Sequence, residues 1–272
     1  DAHPADKEGA ICGGRASVLV EPLAGGRAKV FGEVSKALRA GAPGVLASFV
    51  VRVEGDEVDV RREWLPDGTV AKGSPIAAAG LTEDAAHAAL DSGRPLVHRL
   101  EEYLIFLEPV RPLPRLVIAG AGHVGRALAH LARLLDFHVT VIDDRTEFAN
   151  RDNVPDADAL VAGDFGAALL GIPDSPENYF VVVTRGHERD AEALRACLGR
   201  PAAYVGMIGS RSKVETMRRE FLDKGWATAE EWDRVRAPIG LEIGSKTVEE
   251  IAVSIAAELV LVRSGRRMES AI

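Results

Sequence analysis

The stretch "LVIAGAGHVGRALAHLARLLDFHVTVIDDR", Leu116 to Arg145, decides how this chain folds. It opens on an apolar run, passes through Gly120, Gly122 and Gly125, continues with apolar residues at helical spacing, and closes on a second apolar run ending in Asp143 and Asp144. Strand, tight turn, helix and strand in that order form a βαβ unit, since parallel neighbours can be joined only by a crossover over one face of the sheet.

A bare GxGxxG pattern is a weak signal, but a glycine trio that leaves a strand and opens a helix has mechanical work to do. Gly120 permits the tight turn, Gly122 lets backbone approach a pyrophosphate, and Gly125 lets helix and strand pack closely. Val124 lies within the same turn. Asp143 follows Gly120 by roughly 20 residues, the spacing at which a carboxylate meets ribose hydroxyls. Arg145, just beyond, either meets a 2′-phosphate or is a solvated strand-end charge, so NAD and NADP both stay open. His123 sits at the helix N-terminus, where the dipole disfavours imidazolium; it either hydrogen-bonds a ligand or merely starts the helix. The alternative to a working clasp is a turn whose glycines serve packing alone.

Outward from this unit, strand-like and helix-like segments keep alternating: "DALVAGD", "YFVVVT", a helix from His187, "AAYVGMIG" and a helix from Ser212. The expectation is an α/β fold with a Rossmann-like, doubly wound parallel sheet over residues 112–272. In "GSKTVEEIAVSIAAELVLVRSG", Thr247 and Glu250 have capping-box spacing ahead of a long apolar helix. Upstream, "PVRPLPR" reads as a linker. Residues 1–111 mix β-like runs such as "GVLASFVVRV" and "EYLIFLEPV" with helical ones such as "TEDAAHAALDSG", which predicts a smaller α+β domain.

Ligands of open α/β sheets collect beyond the carboxyl ends of the strands. There the sequence places Asp164; then Thr184, Arg185, Gly186 and His187 in "TRGH"; then Gly209, Ser210, Arg211 and Lys213 in "GSRSK". Two of these loops would bring cations and hydroxyls to the rim, suiting a phosphorylated small molecule; the plainer reading is N-capping residues with solvated charges. Gly206 and Gly209 suggest close backbone approach to a ligand. Gly240, Gly244, Ser245 and Lys246 form a further glycine-rich turn before a helix.

Composition limits the rest. With 47% hydrophobic and 27% charged residues the 272-residue chain should fold as a soluble protein. Its net charge of -8 gives no footprint for nucleic acid. Apolar runs of about a dozen residues fall short of the roughly 20 that span a bilayer, so no membrane association is expected. The N-terminus lacks the features of a secretory signal, and the missing initiator Met suggests a trimmed or partial polypeptide. The two cysteines, Cys12 and Cys197, are too few for a disulfide framework, and the expected location is the cytoplasm. No histidine or cysteine grouping has metal-ligand spacing, and no GxSxG elbow occurs. Cys197 has the spacing of a buried helix residue, whereas Cys12, between small residues and near Arg15, reads either as an exposed thiol of lowered pKa or as plain loop architecture. His187 with Arg185 is the best proton-donor and cation pair for an NAD(P)-dependent oxidoreductase; a nucleotide-sensing module without chemistry is a further alternative.

Together, "ICGGRASVLVEPL", "GAGHVGRAL", "VIDDR", "TRGHERDAEALRACL", "YVGMIGSRSKV" and "APIGLEIGSKTVEEIAVSIAAEL" resemble the XdhC/CoxI family of accessory proteins for molybdenum hydroxylases such as xanthine dehydrogenase. The resemblance implies an N-terminal XdhC/CoxI-type domain and a C-terminal Rossmann domain. It also implies binding of molybdenum cofactor, support of its sulfuration, and delivery to the apo-hydroxylase. Cys12 matches the family's CGG cysteine, Gly120, Gly122 and Gly125 its nucleotide turn, and Arg211 and Lys213 its GSRSK loop. Family members carry a glycine-rich stretch upstream of CGG; this chain begins close to CGG, so its N-terminal domain is expected to be incomplete or of a shorter form. Whether the chain forms a homodimer is left open.

Overall fold

The computed structural model describes residues 28–54, 57–99 and 103–265. The chain divides into two compact units, Asp1–Pro112 and Leu113–Ile272.

Within the first unit, α1 (Ala28–Arg39) precedes β1 (Gly44–Glu54) and β2 (Glu57–Pro66); α2 (Pro75–Ala78), α3 (Glu83–Ser92), β3 (Leu96–Arg99) and β4 (Tyr103–Val110) follow. The strands form an antiparallel sheet of order β2-β1-β4-β3. One face carries alternate apolar residues, Val45 and Ala47 on β1 and Ile105 and Leu107 on β4, which bury against Ala86 and Ala89 of α3. Thr82 starts α3 by accepting a hydrogen bond from the Ala85 amide, and Gly93, at φ 62°, ends it. The run "SVLVEPL" lies outside the described residues.

In the second unit β5 (Arg115–Ala119) leads through α4 (His123–Leu134) to β6 (His138–Asp143). Next come β7 (Ala159–Ala162), α5 (Phe165–Leu170), β8 (Asn178–Val182), α6 (His187–Cys197) and β9 (Tyr204–Met207). The unit closes with α7 (Arg211–Asp223), α8 (Ala229–Asp233), β10 (Val235–Arg236) and α9 (Val248–Arg263). The six strands are parallel, in the order β10-β9-β8-β5-β6-β7. Leu116, Val117, Ile118 and Ala119 are all buried, because β5 is covered on both faces. One face packs on α4 and α9 through Leu128, Ala132, Ile255 and Leu259; the other packs on α6 and α7 through Leu194, Met217 and Phe221.

From β5 the chain winds outward through β6 and β7, then returns to place β8 on the other side of β5. The order of strands therefore reverses between β5 and β8, and the loops leaving these strands diverge there to open a crevice. The fold class is α/β with a Rossmann-like sheet and a separate antiparallel sheet. Thr247 and Glu250 form the reciprocal capping box at the start of α9. Short elements escape the sequence pattern: α5, α8 and β10 span too few residues for periodicity to show. Among the described residues, no helix is long and apolar enough to cross a membrane.

Candidate functional site

The crevice at the β5/β8 reversal holds a cavity of about 280 Å³. Its floor is the turn after β5, with Gly120, Gly122, His123 and Val124 facing it. Gly120 needs its glycine twice over: its φ is 118°, and a Cβ there would lie 2.4 Å from the Val183 carbonyl oxygen. At Gly122, by contrast, a Cβ would meet nothing within 4 Å, because that position looks into open space. Gly122 is the N-cap of α4 and no side chain among the described residues caps the helix there, which leaves its first amides to solvent or a ligand. Gly125 does not face the cavity; it lets α4 press on the turn.

One wall is the end of β6. Asp143 lines the cavity, is 1% exposed, and accepts hydrogen bonds at both oxygens. Oδ1 takes the Arg145 amide at 3.1 Å and Arg145 Nε at 2.8 Å. Oδ2 takes the Ala121 amide at 2.8 Å and Arg145 Nη2 at 3.0 Å. Burial by itself would push this carboxyl up, but the hydrogen bonds from the Arg145 side chain and the two amides outweigh it and hold the group below the ordinary carboxylate range. Arg145 also lies over the Phe148 ring, 3.6 Å from its centroid. Asn153 Nδ2 donates to the carbonyls of Ala121 and Phe148, both at 2.9 Å, tying the glycine turn to the segment that carries Phe148.

The opposite wall follows β8, where Val183, Thr184 and Arg185 line the cavity. Arg185 Nη2 reaches Asp144 Oδ2 at 2.9 Å, and Arg189 Nε approaches the same oxygen at 3.3 Å. Thr184 is fixed from behind by the fully buried Asp190, which accepts from its amide and its hydroxyl. Ile208 and Val248 complete an apolar side with Val183. Strand-end position marks Val183 and Ile208 in the sequence; nothing local marks Val248, which α9 brings in from far along the chain.

Other expected site residues lie elsewhere. Asp164 caps α5, its Oδ1 accepting from the Ala167 amide at 2.8 Å. Gly186 is the extended N-cap of α6, and His187 Nε2 contacts Glu220 Oε2 on α7 at 2.7 Å. Ser210 caps α7. Arg211 is 84% exposed and pairs with Glu242 at 3.2 Å, while Lys213 turns inward to Asp190. Among the described residues, the arginines and lysines that line the cavity are thus Arg145 and Arg185, and those of the "GSRSK" loop do not line it. Gly206, read as a point of ligand approach, is corrected: a Cβ there would strike the Tyr204 ring and Ile239, so packing demands the glycine. Gly240 likewise fits against Ser254 of α9. Cys197 is buried, and burial pushes its thiol up to about 12, which makes it inert at neutral pH. Cys12 lies outside the described residues.

An uncapped helix start, an apolar side and two guanidiniums can hold a phosphate-bearing molecule with an apolar or aromatic portion. Comparisons with known proteins agree with this architecture. Over 152 residues, 56% of this chain, it is 40% identical to the uncharacterized protein YqeB of Escherichia coli strain K12, of which it covers 28%. Over 159 residues, 58% of this chain, it is 28% identical to a probable xanthine dehydrogenase subunit of Bacillus subtilis strain 168, of which it covers 46%. The chain therefore spans less than half the length of these curated relatives. A crystal structure of a xanthine dehydrogenase from Bacillus halodurans superposes with a TM-score of 0.64 at 24% identity, over 88% of this chain and 65% of that one, and shares its fold. Residues 116–259 match the XdhC Rossmann domain, and the chain belongs to that family.

Proposed function

We propose that this chain is an accessory protein of a molybdenum hydroxylase such as xanthine dehydrogenase, acting in the cytoplasm, and that its Rossmann unit binds a pyridine dinucleotide, NAD or NADP. It also binds molybdenum cofactor, assists its sulfuration, and hands it to the apo-hydroxylase. The observation that carries the nucleotide part is the uncapped start of α4 at Gly122, facing a cavity flanked by Arg145 and Arg185. A cavity of about 280 Å³ is near the lower bound of small-molecule sites, roughly 300–1,000 Å³, so it suits the pyrophosphate and one nucleoside, with the rest over the open rim.

The hydroxylase assignment draws on family membership and on the Bacillus subtilis relative's name. Molybdenum cofactor is itself a phosphorylated pterin, so helix amides and guanidiniums fit its anionic end. When bound, the cofactor supplies the molybdenum chemistry; this chain's part is to hold it, with Cys12 as the candidate for contact and sulfur chemistry. An oxidoreductase reading has less support, because His187 bonds Glu220 while Arg185 bonds Asp144, and they form no pair over the cavity.

The test is retention. The full chain is mixed with cofactor released from a molybdoenzyme and passed through gel filtration; pterin fluorescence should elute with the protein and be lost in Cys12→Ala. Nucleotide-dependent stabilisation with no pterin retained would leave a nucleotide-sensing module instead.

A further inference from the structure

The hydrogen bonds around Asp143 narrow the choice of dinucleotide. A carboxylate offers about four lone-pair sites. On Asp143 all of these are engaged, by the Ala121 amide, the Arg145 amide, Arg145 Nε and Arg145 Nη2. A ribose 2′-hydroxyl therefore finds no free acceptor there unless the bidentate guanidinium leaves. Leaving is opposed by the Phe148 ring beneath Arg145 and by the burial of Asp143, whose charge would lose its counterion. A fork of this kind is the strongest geometry open to an arginine and a carboxylate.

The same pairing turns Arg145 into a fixed cation at the cavity. Its side chain is 23% exposed and lines the cavity, and its Nη1 has no hydrogen-bond partner among the described residues. Arg185, 47% exposed on the facing wall, spends one nitrogen on Asp144 and likewise retains donors. Among the described residues, Asp143 is the one anion of the charged groups lining the cavity, and it is neutralised in place by Arg145. Next to the glycine turn, this end of the cavity is where the adenosine ribose of a dinucleotide sits if the pyrophosphate lies on the α4 amides.

We infer that the Rossmann unit selects a dinucleotide carrying a 2′-phosphate on its adenosine ribose, with Arg145, held by Asp143 and Phe148, as the specificity-determining residue and Arg185 as its partner cation. The inference rests on the dinucleotide reading above and adds to it which of the two nucleotides is bound. Asp143 acts here as a positioning residue: it aims the guanidinium and does not read the sugar.

Fluorescence titration of the full chain with NADPH and with NADH tests it, together with competition by 2′-AMP and 5′-AMP. The expected result is NADPH binding at least about tenfold tighter than NADH, as one charge-assisted contact supplies. 2′-AMP should compete better than 5′-AMP. Arg145→Ala should release Asp143 and shift the ratio toward NADH; Arg185→Ala, on the other wall, should weaken NADPH more than NADH, with circular dichroism checking that each variant is folded. NADH binding as tightly as NADPH would overturn the inference while the dinucleotide reading stood. Silence toward both nucleotides would remove that reading and this inference with it.

Discussion

A Cβ placed on Gly125 would lie 1.8 Å from the carbonyl oxygen of Gly120, well inside any tolerable contact. The first turn of α4 is seated directly on the glycine turn, so Gly125→Ala must push the helix off β5. The expected cost is about 4 kcal/mol, from overpacking against backbone that cannot yield, and a melting temperature lower by roughly 10 °C for a unit of this size. Gly122→Ala is the contrast, because its Cβ would meet nothing within 4 Å and its φ of −71° suits alanine. It should melt only slightly below the parent, by the small amount that alanine costs relative to glycine at an N-cap, and lose nucleotide binding, since the added methyl stands where a pyrophosphate would approach. Calorimetric melting and nucleotide titration of the two variants check the pair; equal melting would contradict the packing role of Gly125.

These glycines are legible in the sequence because their work is local. The sheet is legible for a similar reason: Leu116–Ala119 and Tyr179–Val182 are unbroken apolar runs, as strands covered on both faces must be. Charge pairing is not legible. The sequence places Lys213 at the rim, yet it meets Asp190, 23 positions away, because α6 and α7 lie together on one face of the sheet. Arg185 and Asp144 are 41 positions apart and meet only because β8 and β6 flank β5. Spacing announces that a residue stands at a strand end, but which opposite charge it finds there is decided by strand order. Gly206 misleads for the same reason, since the ring of Tyr204 that demands it comes from the folding of its own strand against Ile239.

Asp190 is fully buried, and its Oδ2 is held by the ammonium of Lys213. Lys213→Met keeps the length of the side chain but leaves a buried carboxylate with only Thr184 as hydrogen-bond partner among the described residues. Loss of one member of a buried pair costs about 3 kcal/mol or more, whereas removing both members is far milder. Lys213→Met should therefore be much less stable than Lys213→Met with Asp190→Asn. Urea melts of both, alongside the parent, measure this. A double variant no better than the single one would show that the pair does not act as a unit.

Acid should weaken the second unit through Asp143. Its folded carboxyl lies below the ordinary range, so folding favours the deprotonated form. The resulting stabilisation is complete above the unfolded value near 3.9 and is lost as pH falls through the lower folded value. Asp143→Asn removes this dependence along with the charge-assisted bonds to Arg145. At pH 7 it should be less stable by about 1–3 kcal/mol, and that gap should narrow as pH falls from 5 toward 3. Denaturant melts across that interval follow it, and a gap that stayed constant would rule Asp143 out as the titrating group.

At the alkaline end the controlling groups are tyrosines on adjacent strands. Tyr204 is buried, and burial together with Glu258, which accepts its hydroxyl proton, pushes its phenol above the usual tyrosine range. Tyr179, stacked at 6.3 Å from the Tyr204 ring, is pushed the same way by burial and Glu177. A folded-state pKa raised above the unfolded value of about 10 means stability that is intact below pH 10 and drains away as pH rises past it. Ultraviolet titration of the folded chain should accordingly show these phenols un-ionised at pH 10, with their ionisation appearing together with unfolding. In Tyr204→Phe the alkaline transition should move to higher pH, since the buried phenol that favours the unfolded chain there is gone. At neutral pH the same variant should lose about 1–3 kcal/mol, because Glu258 then keeps, among the described residues, only the Gly240 amide, at 2.8 Å, as its hydrogen-bond donor. Smooth ionisation of all three tyrosines near pH 10 without loss of structure would show that the Tyr204–Glu258 contact is not closed to solvent.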